Sequence, residues 1–323
     1  MPYNSIISRT DATALIPDEV AGEIFESVVE QNPIMRLARR LPNMSAATLR
    51  LPVMSAMASA YFVNGDTGLK QTSDVAWSNK YLTAEEVAII VPIAEAVLAD
   101  SSYDIWGQIR PEIERKMNAA VSASLINGTN IPASWTTDLG AAGLAAGATA
   151  AGNAVSLAAY ADMYEAVLGE TAGGVAGQFM TVEADGFMVT GSIGHLSMKG
   201  KLRNTRDING QPIFKTSMQD ATRYELDGSP IYFPTDGSMN SATALMISGQ
   251  WDQLVYSIRQ DMTWKVLDQA VIQDAAGTII YNLAQQDMVA LRVVMRLGFA
   301  LPNPVNVVQP TEANRYPFAI LTA

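Results

Sequence analysis

The sequence predicts an α+β fold, and three observations carry that reading. In "DSSYDIWGQIRPEIERKMNAAVSASLING", Ile105, Ile109, Ile113 and Met117 fall four apart, and Val121 and Leu125 continue the series. This is the apolar stripe of one long helix. Residues 252–301 are strand-rich and contain the turn sequence Asp274-Ala-Ala-Gly277, which predicts a hairpin. From Ser156 onward, short helical and strand patterns alternate.

The first predicted element is an amphipathic helix over Ile16–Gln31, "IPDEVAGEIFESVVEQ", with Val20, Ile24 and Val28 on one stripe and Phe25 and Val29 beside it. Pro17 suits its first turn, Asp18 and Glu19 suit the positive end of its dipole, and Pro33 stops it. Between Asp11 and Glu30 there are six acids and no base; between Arg36 and Arg50 there are four arginines and no acid. Two readings stay open for this pattern. The charges form two solvated surfaces, or they are two ends of an arm that meet opposite charges on neighbouring copies.

Next, "YFVNGDTGLKQTSDVAW", Tyr61–Trp77, is a polar excursion with few large apolar residues, flanked by "TLRLPVM" and "KYLTAEEVAIIVPIAEAVLAD". A loop this long inside a compact domain is uncommon and usually functional or disordered. "VAIIVPI" then predicts a buried strand. For the long helix, Asp100 or Ser101 is the expected cap and Gly128, after Asn127, the expected stop; Pro111 is expected to kink or break it. Glu112, Glu114, Arg115 and Lys116 fall on its exposed side.

"DLGAAGLAAGATAAGNAV", 138–155, reads as a flexible Ala/Gly connection and a candidate domain boundary. Beyond it, "SLAAYADMYEAVLGET" predicts a helix, "GFMVTG" a strand, "GSIGHLSMKGKLRN" a helix, and "SPIYFPT" and "ATALMISG" two further strands. The last long strand lies within "QQDMVALRVVMRLGFALPNPVNVV", before a Pro-rich exit.

Composition excludes several functions. With 323 residues and 49% hydrophobic content the chain can fill one large core or two ordinary ones. It has no cysteine, so disulfides, zinc–thiolate sites and thiol nucleophiles are ruled out. One histidine, His195, removes most metal and acid–base arrangements. A net charge of −11 argues against a dedicated nucleic-acid reader, although not against enclosing DNA without gripping it. No signal peptide and no membrane-spanning run is visible.

Possible chemistry is sparse. "VTGSIGH" sets Ser192 near His195, which invites a serine hydrolase reading, but the glycines are at the wrong offsets for the G-x-S-x-G elbow. "GGVAG", 173–177, follows a helix and reads as its stop, not as a phosphate cradle. "KGKLRNTRD", 199–207, is the strongest basic cluster and reads as a solvated helix face, and Glu85-Glu86 has no partner for acid–base work. No catalytic, metal or cofactor constellation emerges.

With these pieces in order, the chain resembles the major capsid protein family of tailed bacteriophages, with its HK97-like fold. The resemblance rests on "IPDEVAGEIFESVVEQNPIMRLARRLPNM", Leu51-Pro52-Val53, Val91-Pro92-Ile93, Asn127-Gly128 and "NLAQQDMVALR", Asn282–Arg292. It implies an N-terminal arm (1–48), an extended loop (49–84), a peripheral domain with spine helix (85–137), the Ala/Gly linker (138–155), an axial domain (156–246), and a second peripheral part with the tail (247–323). It implies self-assembly into hexamers and pentamers of an icosahedral shell around double-stranded DNA, formed in the host cytoplasm. A separate scaffolding protein (favoured by Met1), a portal protein and a decoration protein are the further partners it suggests. Subunit interfaces are expected at Tyr61, Asn64, Lys70 and Trp77 on the loop, at Arg36, Arg39 and Arg40 on the arm, and at Asp274 and Gly277 at a three-fold hairpin. An encapsulin-like nanocompartment shell is the nearest alternative, and a hydrolase using Ser192 and His195 a remote one. Some members of the family cross-link lysine to asparagine. Here Lys70 or Lys80 and Asn282 or Asn303 could supply the two groups, but 289–306 holds no carboxylate, so a non-covalent shell is expected.

Overall fold

The structure is a computed structural model and describes residues 32–63, 68–101, 104–169, 171, 174–205 and 224–323. The helix expected over Ile16–Gln31 lies outside these residues, as does Asn64.

The described chain begins at a cap. Asn32 Oδ1 accepts from the backbone N–H groups of Ile34 and Met35 and starts helix α1 (Pro33–Leu37), with Pro33 in its first turn. A short edge strand β1 (Arg39–Arg40) follows, then an antiparallel pair, β2 (Thr48–Ala56) with β3 (Ala76–Thr83), which forms a two-stranded sheet of its own. Strand β4 (Glu85–Ala94) runs into helix α2 (Glu95–Asp100).

The long helix is α3 (Ile105–Asn127), and its expected stripe is its buried face: Ile113, Met117, Val121 and Leu125 are at most 2% exposed. Because α2 occupies the chain up to Asp100, the cap moves from Asp100 or Ser101 to Asp104, whose carboxylate accepts from Gly107 N at 3.0 Å. Gly128 stops the helix in the left-handed region at φ +70°, as expected. Pro111 neither breaks nor divides it. The proline removes one backbone hydrogen bond, and burial of the stripe on its C-terminal side outweighs that loss.

The Ala/Gly stretch is not a flexible connection. The last two residues of helix α4 (Ala133–Leu139) enter it and helix α5 (Gly143–Ala151) lies within it, with Leu139, Leu144 and Ala148 wholly buried. Its small residues serve close approach. A Cβ on Gly143 would lie 2.5 Å from Leu125 O, and one on Gly147 would lie 2.4 Å from the Tyr316 hydroxyl. Composition alone could not separate a linker from a helix packed against a helix.

In the second half, β5 (Ala154–Ser156) leads through a 3-10 turn to α6 (Met163–Val167), a shorter helix than expected. Helix α7 (Gln178–Ala184) follows, and strand β6 is Gly191–Gly194, so "GFMVTG" is irregular and "GSIG", expected in a helix, is the strand. Helix α8 (Leu196–Arg203) begins after His195. Strands β7 (Glu225–Leu226), β8 (Ser229–Tyr232) and β9 (Met246–Gly249) complete this part. The long strand β10 (Val255–Leu267), the hairpin β11 (Val271–Gln273) and β12 (Ile279–Asn282), the long strand β13 (Met288–Ala300) and β14 (Phe318–Thr322) close the chain.

Two larger sheets organise the molecule: β1-β10-β13-β4 and β5-β14-β9-β6-β8-β7. In the first, Leu291, Val293, Met295, Leu297 and Phe299 of β13 alternate onto one face and bury against α3 in the main core. Strand β4 is an edge strand and only half buried, with Ile90 42% exposed, rather than the buried strand expected. The C-terminal strand β14, expected with the second peripheral part, pairs with β9 and β5 in the six-stranded sheet. One core joins the sheets, since Ile193, Ile247 and Phe318 share a cluster with Leu125, Trp135 and Phe299.

Candidate interaction surfaces

The β2–β3 ribbon is two-faced by register. Leu49 pairs with Leu82, Leu51 with Lys80 and Val53 with Ser78, and the side chains of Leu49, Leu51 and Leu82 join a small core with Met44, Ala84, Val255 and Ala300. On the opposite face Arg50 pairs with Tyr81 and Met54 with Trp77. Trp77 is 68% exposed and Tyr81 56%. The few apolar residues in the excursion point the same way: Phe62 and Leu69 are almost wholly in solvent, and Tyr61 is exposed. An isolated two-stranded ribbon is marginal in water, and large exposed apolar groups mark interaction sites. Lys70 is exposed at the tip. The sequence expectation named Tyr61 and Trp77; Met54, Phe62, Leu69 and Tyr81 are further exposed apolar groups it did not name, and the period-2 alternation across the two strands carried the signal for Met54 and Tyr81.

The base of the ribbon is fixed by contacts no local pattern announces. Lys80 Nζ lies 2.9 Å from Glu312 Oε1 and 3.3 Å from Asp138 Oδ1. Trp135 Nε1 donates to Thr83 O at 2.9 Å, and Val305 N donates to Met54 O at 3.1 Å. Partial burial works against the Lys80 charge, but the Glu312 hydrogen bond and the charges of Asp138 and Glu312 outweigh it and raise the amine's pKa.

The arm arginines divide. Arg36 stacks over Tyr232 with its guanidinium 5.3 Å from the ring centre, while Arg39 and Arg40 stand exposed on the edge strand β1, Arg40 donating to Asn43. At the β11–β12 turn, Asp274 Oδ1 accepts from Ala276 N and Thr278 N at 2.9 and 2.7 Å, and Gly277 supplies φ +83°. The hairpin exposes Val271, Ile279 and Ile280, so it too presents apolar surface.

The hydrolase arrangement is absent from Ser192 and His195. Ser192 is wholly buried in β6 and pairs with Ser248 Oγ at 2.8 Å, while His195 Nδ1 caps α8 through Ser197. A serine-reactive phosphonate probe is therefore expected to leave the protein unlabelled, and stoichiometric labelling read by intact mass would contradict this geometry. Among the described residues no group of three His, Asp or Glu could hold a metal, and no helix is long and apolar enough to cross a membrane.

Comparison with known proteins places these surfaces in context. The phage capsid family matches residues 12–310. A solved structure from Microbacterium phage Oxtober96 is 31% identical and superposes with a TM-score of 0.78, covering 98% of this chain and 99% of that one. One from Mycobacterium phage Bobi is 27% identical, with a TM-score of 0.78 and coverage of 98% and 99%. The capsid of a native GTA particle, at 14% identity and a TM-score of 0.62, covers 99% of this chain and 100% of that chain and shares the fold. No curated protein matches the chain.

Proposed function

The chain belongs to the phage capsid family, with the HK97-like fold, and from that premise we propose that its copies assemble into hexamers and pentamers of a closed icosahedral shell around double-stranded DNA. The observation that carries this reading is the ribbon: its outward face holds Met54, Trp77 and Tyr81, which the described residues leave exposed. A neighbouring subunit supplies the missing surface. In the same reading the arm, with Arg36, Arg39 and Arg40, and the hairpin turn at Asp274 and Gly277 meet other copies, the hairpin at three-fold positions. The region 156–246 converges at capsomer centres, and Asn64, outside the described residues, is a further loop position that meets another copy. The excess of acidic residues, net −11, favours DNA held loosely and without sequence preference. A scaffolding protein and a portal act during assembly in the host cytoplasm, and a decoration protein can add to the finished shell. Electron microscopy of the purified chain, with and without its scaffolding protein, tests the reading. Closed shells are expected, and a compact monomer under every assembly condition would falsify it.

The shell is held without covalent links. Joining lysine to asparagine needs a neutral amine, a free carboxamide and a base within reach. Lys80 is held as an ammonium between two carboxylates, Asn303 is engaged with Arg315 through both ends of its amide, Asn282 donates to Gln285, and residues 289–306 supply no carboxylate base for Lys70. Particles boiled in detergent should run as one band near 34.6 kDa. A ladder of covalent oligomers is the contrary result.

A further inference from the structure

The small core around Leu49, Leu51 and Leu82 grips the β2–β3 ribbon at its base. Farther out, the ribbon lies against another part of its own chain, the segment 301–317 that joins β13 to β14. At the Met54–Trp77 pair, Val305 N donates to Met54 O at 3.1 Å. At the Leu51–Lys80 pair, nearer the base, Lys80 Nζ donates to Glu312 Oε1 at 2.9 Å. The same ammonium lies 3.3 Å from Asp138 Oδ1 in the last turn of α4. Val305 at the outer pair and Glu312 at the inner one make the segment follow the ribbon instead of crossing it.

The segment is stiff where it meets the ribbon. Asn306 Nδ2 donates to Asp185 O at 2.7 Å and Tyr316 N to Asp185 Oδ2 at 3.0 Å, so both ends of 306–316 are pinned to one residue after α7. Arg315 braces the stretch from within, through the carbonyls of Asn303, Gln309 and Pro310. The Tyr316 hydroxyl donates to Leu139 O, beside Asp138. The two carboxylates that hold Lys80 are thereby fixed to the body of the subunit. On β3, Lys80 alternates with Trp77 and Tyr81, so drawing Lys80 inward turns those exposed rings outward. We propose that the joining segment is a strap that aims the ribbon, with Lys80 as its positioning residue, so that the ribbon's angle is set within the subunit before a neighbour docks. A surface ordered beforehand does not have to be ordered at the moment of binding.

The use of such a strap rests on the self-assembly reading, but its first measurement needs no assembly. The chain has no cysteine, so Asn79→Cys on the ribbon and Ser241→Cys on the body, both exposed, direct two spin labels onto the full-length subunit, kept dilute and without scaffold. A narrow distribution of label distances is expected. Lys80→Met should widen it about twofold or more and move the unfolding midpoint by about 3 °C or less, because partly exposed ion pairs add little to global stability. Its shell yield should fall about fivefold or more, since the ribbon must then be ordered on docking. Exchanging the pair, as Lys80→Glu and Glu312→Lys with Asp138→Asn, should narrow the distances again and recover most of the yield. Distances equally narrow or equally wide with and without Lys80 overturn the strap, and an exchanged pair that stays wide overturns Lys80 as the residue that holds it. Widened distances with a wild-type shell yield overturn the part the angle plays in assembly. A wild-type chain that never forms shells overturns the self-assembly reading, while the distances still decide the strap.

Discussion

A chain in which residues 57–75 are replaced by a short Gly-Ser turn is expected to fold cooperatively and to close no shells. The subunit loses little because the ribbon's buried and half-buried apolar residues, Leu49, Leu51, Val53 and Leu82, all lie outside the replaced segment. Between Met54 and Tyr81 no residue described is a buried core residue, and Phe62 and Leu69 are almost wholly in solvent. Removing groups that are already hydrated changes stability by about 0.5 kcal/mol or less. Assembly loses far more. Each Phe or Leu side chain that a neighbour would bury is worth about 1.5–3 kcal/mol, and every subunit in a shell makes the contact. The measurement is a denaturant melt paired with microscopy. An unfolded subunit would place the loop in the core, and normal shells would remove the ribbon from the interface.

What the sequence made legible was whatever depends on local period. The α3 stripe is one such case: Ile113, Met117, Val121 and Leu125 sit where a helical repeat puts them, and the Asp274–Gly277 turn closes as its residue types require. The family resemblance carried the order of the remaining elements. Illegible features depended on the third dimension. Strand β6 is Gly-Ser-Ile-Gly, with Ile193 its one strong strand former, yet it lies between β9 and β8 and is wholly buried. Its glycines admit Trp251 and Leu37 on one side and Phe233 on the other, a requirement set by packing. Helix α5 was hidden for the same reason, because small residues chosen for contact with Leu125 and Tyr316 have a linker's composition. The candidate site was half legible. Tyr61 and Trp77 could be read from one segment, whereas Lys80, Asp138 and Glu312 meet only after folding.

Arg315→Met is expected to lower the unfolding free energy by about 3 kcal/mol or more, the second large effect the structure predicts. Arg315 is only 3% exposed, and burial pulls its pKa down, while Glu312 and Asp185 act in the opposite sense. No carboxylate pairs with it directly among the described residues. Its guanidinium is instead solvated by oxygens of the segment that joins β13 to β14: Asn303 Oδ1 at 3.1 Å, Asn303 O at 3.0 Å, Gln309 O at 2.9 Å and Pro310 O at 3.0 Å. Removing the donor strands several of these acceptors, each at about 1–3 kcal/mol when water cannot reach it. The segment also carries Glu312 toward Lys80 and Asn306 toward Asp185 O at 2.7 Å, so its shape ties the ribbon base to the end of α7. Lysine cannot substitute, since a tetrahedral ammonium with three donors does not span oxygens arranged for a planar fork. Arg315→Lys should therefore lose at least half as much stability as Arg315→Met. Denaturant midpoints of the two variants, read against wild type, decide the matter. Equal midpoints would show that the buried arginine is dispensable to the fold and that the joining segment keeps its shape by packing alone.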